Sequence, residues 1–188
     1  TIIGDSNVIR EHVTIHRGTA FGGGKTIIGD ENILMTGMHV AHDCIIHNRT
    51  LIGNQVLFAG HITIQDGAVI SAMVGVHHFV TIGKFSYIGA KTAVRRDAPP
   101  VLKTAGDPGE LRGVKTEGLR RNGFSQTDIS EIKRAYKKLF RTSNGGDTIE
   151  SRLDELERDN HSNAQVSYLC QFLRESCASR FGRAQENN

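Results

Sequence analysis

The sequence predicts an all-β parallel solenoid over residues 1–97, a connector over residues 98–118 and a small α-helical C-terminal domain over residues 119–188. The main observation is an apolar residue at every sixth position through the middle of the chain. Neither a helix, with a period of 3.6 residues, nor a strand, with a period of 2, produces a strict period of six. A repeat this short is typical of a solenoid in which each hexad is one short strand and a turn. The repeating residues are Ile28, Leu34, Val40, Ile46, Ile52, Phe58, Ile64, Ile70, Val76, Ile82, Ile88 and Val94.

The hexad repeat begins before Ile28 and is interrupted once. It is already present at Ile3, Ile9 and Ile15, and thirteen residues separate Ile15 from Ile28, which is two hexads plus one. We therefore expect a one-residue insertion within residues 21–25, where three consecutive glycines supply the backbone freedom that a bulge needs.

The repeat ends shortly before Pro99, and the rest of the chain is predicted to leave the solenoid. Because Pro99 and Pro100 cannot donate to a strand ladder, residues 98–118 are expected to form an extended connector. Ser125 and Asp128 have the spacing of a capping box, which predicts the start of an amphipathic helix. Two further helices are predicted after it.

Composition and charge exclude some classes of protein and favour others. No apolar run approaches the roughly 20 residues that a membrane span needs. Three cysteines without metal or disulfide spacing suit a reducing cytosol, so a cytoplasmic location is expected. Between Arg112 and Arg141, nine basic residues stand against three acidic ones, which fits an acidic partner or a solvated helix face equally well. No known nucleic-acid-binding motif accompanies this charge, so no nucleic acid is expected as a partner.

Two hexad stretches resemble a known repeat. The sequences Ile-Gly-Asp-Glu-Asn-Ile at residues 28–33 and Ile-Gly-Lys-Phe-Ser-Tyr at residues 82–87 resemble those of the hexapeptide-repeat acyltransferases. The resemblance implies a left-handed parallel β-helix, a hand opposite to the usual crossover rule, with three faces and therefore three hexads in each coil. Residues 18 apart would then stack at the spacing of paired strands, about 4.8 Å.

With this spacing, several histidines and one carboxylate gather on one edge of the coil. The residues expected there are His39, His42, His61, His77 and Asp43. A histidine beside an aspartate, as in His42 and Asp43, is the usual pairing for a general base. Gly60, one coil away from His42, offers a backbone N–H for an oxyanion. Because no Ser–His or Cys–His pair is evident, direct transfer fits better than a covalent acyl-enzyme.

The same histidines leave a metal site open as an alternative. Three histidines from adjacent subunits hold Zn²⁺ or Fe²⁺ in β-helical carbonic anhydrases, and His42 with His47 offers a suitable spacing. A carbonic anhydrase acts on CO₂, and so small a substrate gives the long helical C-terminus and its basic residues no evident role.

Five longer stretches resemble one family of these enzymes, the UDP-N-acetylglucosamine 3-O-acyltransferases of lipid A biosynthesis. They are residues 9–18, 39–44, 57–61, 76–79 and 117–121. The resemblance implies transfer of a 3-hydroxyacyl group from acyl carrier protein to the 3-hydroxyl of UDP-N-acetylglucosamine, in a homotrimer with its sites between subunits. It implies no metal and no bound cofactor, since the acyl donor is carried on the phosphopantetheine of acyl carrier protein.

The resemblance also implies a role for each matching residue. His42 would act as the general base, Asp43 would orient it and Gly60 would hold the oxyanion. The other matching residues are His39, His61 and His77 at the sugar and pantetheine sites, Glu117 and Arg121 near the nucleotide and phosphates, and Ala90 at the position that sets acyl-chain length. The basic residues between 112 and 141 would dock the acidic carrier protein.

The chain departs from the family pattern in three places. The family's solenoid begins with further coils, so the resemblance implies that this chain lacks the family's N-terminal coils. Lys115 stands where an asparagine is common, and Asn122 where a second arginine is usual. Ala90 replaces the glycine of some members, and its methyl group predicts a shorter acyl chain. Another hexapeptide-repeat acyltransferase acting on a UDP-amino sugar and an inactive remnant therefore stay open as alternatives.

Overall fold

The computed structural model describes residues 1–141, 147–159, 163–179 and 181–187. Its first half is built from fifteen two-residue strands at hexad spacing. They are β1 Ile2–Ile3, β2 Val8–Ile9, β3 Thr14–Ile15, β4 Ile27–Ile28, β5 Ile33–Leu34, β6 His39–Val40, β7 Ile45–Ile46, β8 Leu51–Ile52, β9 Leu57–Phe58, β10 Thr63–Ile64, β11 Val69–Ile70, β12 Gly75–Val76, β13 Thr81–Ile82, β14 Tyr87–Ile88 and β15 Ala93–Val94.

Each strand stacks on the strand three earlier in the chain, which gives three parallel sheets. This confirms the predicted parallel β-solenoid. The sheets contain β1-β4-β7-β10-β13, β2-β5-β8-β11-β14 and β3-β6-β9-β12-β15. From Ile28 onward the paired residues are 18 apart, as in the series Ile28, Ile46, Ile64 and Ile82. The spacing used above to align the histidines is therefore correct for this part of the coil.

The hexad residues fill the centre of the solenoid. All twelve residues from Ile28 to Val94 are buried, and the most accessible of them, Val76, is only 4% exposed. Successive coils stack these side chains in columns, so each one is removed from water by its neighbours above and below. In the first coil the hexad residues Ile3 and Ile9 are still 46% and 43% exposed.

The prediction of a one-residue insertion is wrong, because the insertion is longer. The first coil pairs with residues 25 positions further on, such as Ile2 with Ile27 and Thr14 with His39. A regular coil, such as the one that pairs Ile28 with Ile46, is shorter by seven positions. The added positions belong to an insertion loop, residues 16–26, which contains the short 3-10 helix Ala20–Gly22. The thirteen residues between Ile15 and Ile28 were interpreted as two hexads and one inserted residue. The first of these hexads, near residue 21, forms no strand, so it belongs to the insertion as well.

The segment predicted as an extended connector folds back onto the solenoid. After the two prolines, β16 (Leu102–Ala105) pairs parallel with β14, and β17 (Glu110–Val114) pairs antiparallel with β16. The prolines therefore end the hexad repeat without ending the sheet, since their missing N–H groups fall between the paired segments.

Four α-helices follow the hairpin in the residues that the structure describes. They are α1 Thr116–Arg121, α2 Gln126–Phe140, α3 Ile149–Arg158 and α4 Ala164–Ala178. The predicted capping box is confirmed at the start of α2, where Ser125 and Asp128 bond to each other's backbone N–H. The helices share a second apolar core, and Tyr168 of α4 donates to Gln65 of the solenoid at 2.7 Å. None of the helices in the described ranges is long and apolar enough to cross a membrane.

Candidate functional site

The site is centred on His42 and Asp43, at a corner of the coil after β6. Nδ1 of His42 lies 2.8 Å from Oδ2 of Asp43. The Asp43 carboxyl group is fully buried, whereas the His42 side chain is 42% exposed. Because an ionised carboxylate only accepts hydrogen bonds, Nδ1 carries the ring proton and Nε2 keeps its lone pair. The Nε2 atom of His42 can therefore act as a base.

The environment of Asp43 keeps it ionised. Burial alone would raise the pKa of the carboxyl group, but hydrogen bonds from Thr19 and His42 outweigh this, so the pKa lies below its ordinary value of 3.8. The backbone of Asp43 is left-handed, with φ of 60°. This conformation lets the chain turn the corner while the carboxylate points inward beside the ring of His42.

Gly60 lies directly over the imidazole of His42, as the spacing of 18 predicts. A Cβ atom built on Gly60 would be 2.5 Å from Cε1 and 2.8 Å from Nε2 of the ring, so no side chain fits here. No described residue accepts a hydrogen bond from the Gly60 N–H. A base and an unoccupied backbone donor thus meet at one point, which is the arrangement needed for attack on a carbonyl carbon.

A row of aromatic rings continues the site along the same edge. His61 packs edge-on to His42, with ring centroids 5.2 Å apart, and stacks on Phe79 at 4.6 Å. His77 is reached through His78, whose ring lies 3.8 Å from that of His77 and 5.3 Å from that of Phe79. The structure therefore brings His61 and His77 to the edge on which they were predicted.

His39, on β6, lies against the first coil. Its Nδ1 is 2.7 Å from Oγ1 of Thr14, and its ring packs edge-on to His16 at 4.6 Å. Burial, and then the proximity of His16, lower the pKa of His39 below its ordinary value of 6.5, which favours the neutral ring at pH 7. We call His39, His42, Asp43, Gly60, His61 and His77 the histidine edge.

Comparison with known proteins agrees with this geometry. Residues 97–182 match the family described as UDP-N-acetylglucosamine O-acyltransferase, domain 2. A protein of Burkholderia mallei named acyl-[acyl-carrier-protein]–UDP-N-acetylglucosamine O-acyltransferase is 39% identical over 93% of this chain and 67% of its own length. The chain belongs to the UDP-N-acetylglucosamine O-acyltransferase family.

Other members of the family match over a smaller share of their length. A protein of the same name from Aliivibrio fischeri is 42% identical over 84% of this chain and 59% of its own length. The crystal structure of the Arabidopsis UDP-N-acetylglucosamine acyltransferase superimposes with a TM-score of 0.89 at 39% identity, covering 95% of this chain and 62% of the other. This chain therefore spans about three fifths of the length of these two acyltransferases.

Three of the predicted site residues lie elsewhere in the chain. Glu117 is ion-paired with Arg120 on the surface of α1, and Arg121 is exposed on the same helix. No contact in the described part of the chain joins either residue to the histidine edge. Ala90 is exposed and follows β14, which belongs to a different sheet from β6, so it lies on a different edge. The roles expected of these residues in the acyltransferase family remain predictions.

Four residues of the site were not predicted from the sequence. Thr14 and His16 surround His39, and Thr19 and Thr26 bind Asp43. Thr14, His16 and Thr19 become neighbours of the histidine edge only when the first coil is paired at a spacing of 25 instead of 18 or 19. Thr26 precedes β4, which pairs with β7 at the regular spacing of 18. A cavity of about 890 Å³, lined by His16, Thr19 and His42 among others, opens at this point.

The metal alternative has partial geometric support. Ligand atoms of His42, Asp43 and His61 all lie within 4.8 Å of one another. His47, the partner expected for His42 in a metal site, is not among them. Both oxygens of Asp43 already accept hydrogen bonds, two from Thr19 and one from His42, and the carboxylate is therefore committed as an acceptor. This favours a histidine–carboxylate acid–base pair over a metal centre.

Proposed function

We propose that this chain transfers a 3-hydroxyacyl group from acyl carrier protein to the 3-hydroxyl of UDP-N-acetylglucosamine. The observation that carries the proposal is the His42–Asp43 pair under the Gly60 N–H, in a chain that belongs to this acyltransferase family. The relatives from Burkholderia mallei and Aliivibrio fischeri are named acyl-[acyl-carrier-protein]–UDP-N-acetylglucosamine O-acyltransferases. The residues at the centre of the site offer the general base and the oxyanion donor that such a transfer needs.

The proposed reaction uses His42 as the general base and Gly60 as the oxyanion donor. Nε2 of His42 removes the proton of the sugar 3-hydroxyl as its oxygen attacks the thioester carbonyl carbon. The carbonyl oxygen becomes an oxyanion, which the Gly60 N–H stabilises. When the intermediate collapses, the C–S bond breaks, the ester remains on the sugar and the His42 imidazolium returns the proton to the pantetheine thiolate. Asp43 stabilises the charged ring between these steps.

The nearest thiol is unsuited to forming an acyl-enzyme. Cys44 is fully buried, and burial raises the pKa of its thiol to about 11. Its Sγ points away from solvent and donates to the carbonyl of Ala59 at 3.2 Å. Because the thiolate is the nucleophilic form of cysteine, this side chain contributes little reactivity at pH 7. Direct transfer from the donor to the sugar is therefore the route that the site favours.

The exposed side of α2 and the residue that follows the helix carry positive charge, which fits an acidic partner. Lys133, Arg134, Lys137 and Arg141 are exposed at positions that share one side of the helix. Four residues of the predicted basic patch contribute less. Lys115 is buried, and Lys138 pairs with Glu155 and Asp159. Arg112 pairs with Glu110, and Arg120 pairs with Glu117. Seven of the nine basic residues stay exposed, which supports docking of acyl carrier protein on this surface.

The scattered positions of the predicted residues support assembly into a homotrimer. Within one chain, Ala90, Glu117 and Arg121 do not meet the histidine edge, so a second copy would have to supply them. Outward-facing apolar side chains on the flat faces, such as Leu57 at 57% exposure and Leu51 at 39%, offer surface for such packing. The product would be the first intermediate of lipid A, made in the cytoplasm, where reduced cysteines and carrier proteins are found.

The proposal is tested by measuring acyl transfer with purified protein, 3-hydroxyacyl carrier proteins of several chain lengths and UDP-N-acetylglucosamine. We expect His42→Ala to lower the rate by about 10²–10⁴-fold, the usual contribution of a general base. His47→Ala is the matched control, because His47 is an exposed histidine outside the histidine edge, and it should transfer at the wild-type rate.

Three outcomes would contradict the proposal. A rate no higher than background for both the wild type and His42→Ala would show that the chain is an inactive remnant. Transfer only to a UDP-amino sugar would identify another acyltransferase of the same fold. Stoichiometric zinc or iron in the purified protein, together with hydration of CO₂, would favour the metal-dependent alternative.

A further inference from the structure

The insertion loop reaches the catalytic carboxylate. Thr19, at the start of the loop's 3-10 helix, donates its N–H to Oδ1 of Asp43 at 2.8 Å and its hydroxyl to Oδ2 at 2.7 Å. Oδ2 also accepts from Nδ1 of His42 at 2.8 Å. A carboxylate held at both oxygens cannot rotate about its Cβ–Cγ bond, so one of its lone pairs stays directed at His42.

Both ends of the loop hold the same residue. Thr19 binds the side chain of Asp43, and Thr26, which is fully buried at the end of the loop, accepts the Asp43 N–H on Oγ1 at 2.9 Å. That second bond fixes the left-handed corner on which the carboxylate depends. The loop therefore controls both the backbone and the side chain of Asp43.

Gly22 shows how closely the loop approaches the carboxylate. A Cβ atom on Gly22 would lie 2.1 Å from Cγ and 2.3 Å from Oδ2 of Asp43, although the backbone φ of Gly22 is not positive. Glycine is therefore required here by close packing and not by conformation. Its N–H in turn donates to the Thr19 hydroxyl oxygen at 3.2 Å, which orients the hydroxyl proton toward Asp43.

We propose that Thr19 is a positioning residue, which holds the Asp43 carboxylate so that His42 is kept as the tautomer with a free Nε2. This inference rests on the proposed acyl-transfer function for its kinetic consequence. Its structural consequence, the fixed His42–Asp43 hydrogen bond, does not depend on that function. The remainder of the loop is mostly exposed, and Phe21 is wholly so.

Two substitutions separate the hydroxyl group from the shape of the side chain. Thr19→Val keeps the shape and removes the donor, and Thr19→Ser keeps the donor. We expect Thr19→Val to lower kcat by about 10–100-fold, the usual effect of losing a hydrogen bond to a charged group behind a catalytic residue. The KM for UDP-N-acetylglucosamine and the unfolding temperature should hardly change, and Thr19→Ser should keep at least about a third of the wild-type kcat. Gly22→Ala provides a second route to the same effect, because its methyl group would displace the carboxylate.

A spectroscopic readout tests the inference without acyl transfer. In protein labelled with ¹⁵N-histidine, the Nδ1–H of His42 should give a downfield, slowly exchanging proton signal, assigned by its loss in His42→Ala. We expect the signal in the wild type and Thr19→Ser, and its loss or rapid exchange in Thr19→Val and Gly22→Ala.

The two readouts separate failure of this inference from failure of the proposed function. If the wild type transfers no acyl group but the signal disappears in Thr19→Val, the function is wrong and the positioning role stands. An unchanged signal in Thr19→Val would overturn the inference. So would a kcat within twofold of the wild type, or equal losses in Thr19→Val and Thr19→Ser.

Discussion

Replacement of Asp43 by asparagine is expected to invert the tautomer of His42. Oδ1 of Asp43 accepts from the backbone N–H of Thr19, which cannot turn away, whereas Oδ2 faces the rotatable Thr19 hydroxyl and His42 Nδ1. In Asp43→Asn, the amide oxygen of the new side chain should therefore take the Oδ1 position and its NH₂ group the Oδ2 position. This NH₂ group would donate to Nδ1 of His42, and the ring proton would move to Nε2.

With its proton on Nε2, His42 cannot accept the proton of the sugar hydroxyl. A tautomer error of this kind in other enzymes costs up to about 10⁴-fold, and loss of general-base catalysis costs about 10²–10⁴-fold. We expect kcat to fall by about 10³-fold, equivalent to roughly 4 kcal/mol of transition-state stabilisation. The KM for UDP-N-acetylglucosamine should change little, since Asp43 is buried and cannot touch the substrate.

The assay is steady-state transfer from a 3-hydroxyacyl carrier protein, with Asp66→Asn as the matched control. Asp66 also accepts hydrogen bonds at a corner of the coil, from Asn48, but it lies away from the histidine edge. The control should stay within about twofold of the wild type. A kcat for Asp43→Asn within tenfold of the wild type would refute the assignment of Nε2 as the base.

Three further predictions concern Gly60, Ala90 and Lys115. Gly60→Ala should lower kcat by about 10²–10³-fold, because the added Cβ would overlap the His42 ring and displace the base; a loss below fivefold would argue against the close packing of Gly60 on a catalytic His42. Ala90→Gly should shift the preference among acyl carrier proteins toward longer chains, and an unchanged preference would rule out Ala90 as the length determinant. Burial lowers the pKa of Lys115 from 10.5 to about 8, so the unfolded chain binds the proton more tightly and stability should rise as the pH increases from about 8 to 10.5. Lys115→Met should abolish that rise and stabilise the protein at pH 7 by about 1–2 kcal/mol, as measured by denaturant unfolding; a destabilised variant would contradict this.

The regular part of the fold could be predicted from the sequence because it depends on one repeated local rule. Each hexad places one apolar residue inside, and the stacking of every third strand follows once three faces close a coil. That is why Gly60 was correctly placed over His42, and His61 beside Asp43, without any structure. The prediction needed the hexad spacing, the three hexads per coil that the resemblance implied, and the absence of interruptions between residues 28 and 94.

The prediction failed at the insertion loop, where the hexad repeat is interrupted, and the failure has a physical reason. The number of residues between Ile15 and Ile28 does not show whether the second hexad forms a strand or a loop, since both satisfy the same spacing. Glycines at 22–24 indicate a turn but not its length. As a result, the contacts of Thr19 with Asp43 and of Thr14 with His39 could not be foreseen.

In the C-terminal half, local features could be predicted from the sequence, but features that depend on long-range contacts could not. The capping box at Ser125 is a local signal and was confirmed, but the return of Leu102–Ala105 to the sheet depends on long-range pairing with β14. Lys115 was counted in a basic patch, yet its side chain is buried and donates to the carbonyl of Ser86 at 3.3 Å. Charge alone could not reveal this, because burial depends on packing between elements far apart in the chain.

The most direct test of the account is the ratio of acyl-transfer rates between the wild-type protein and His42→Ala, measured with one 3-hydroxyacyl carrier protein and UDP-N-acetylglucosamine at saturating concentrations. We expect a ratio of about 10²–10⁴, with the acyl group recovered as an ester on the sugar 3-hydroxyl. A ratio near one would contradict it, because the His42–Asp43 pair would then have no part in the reaction.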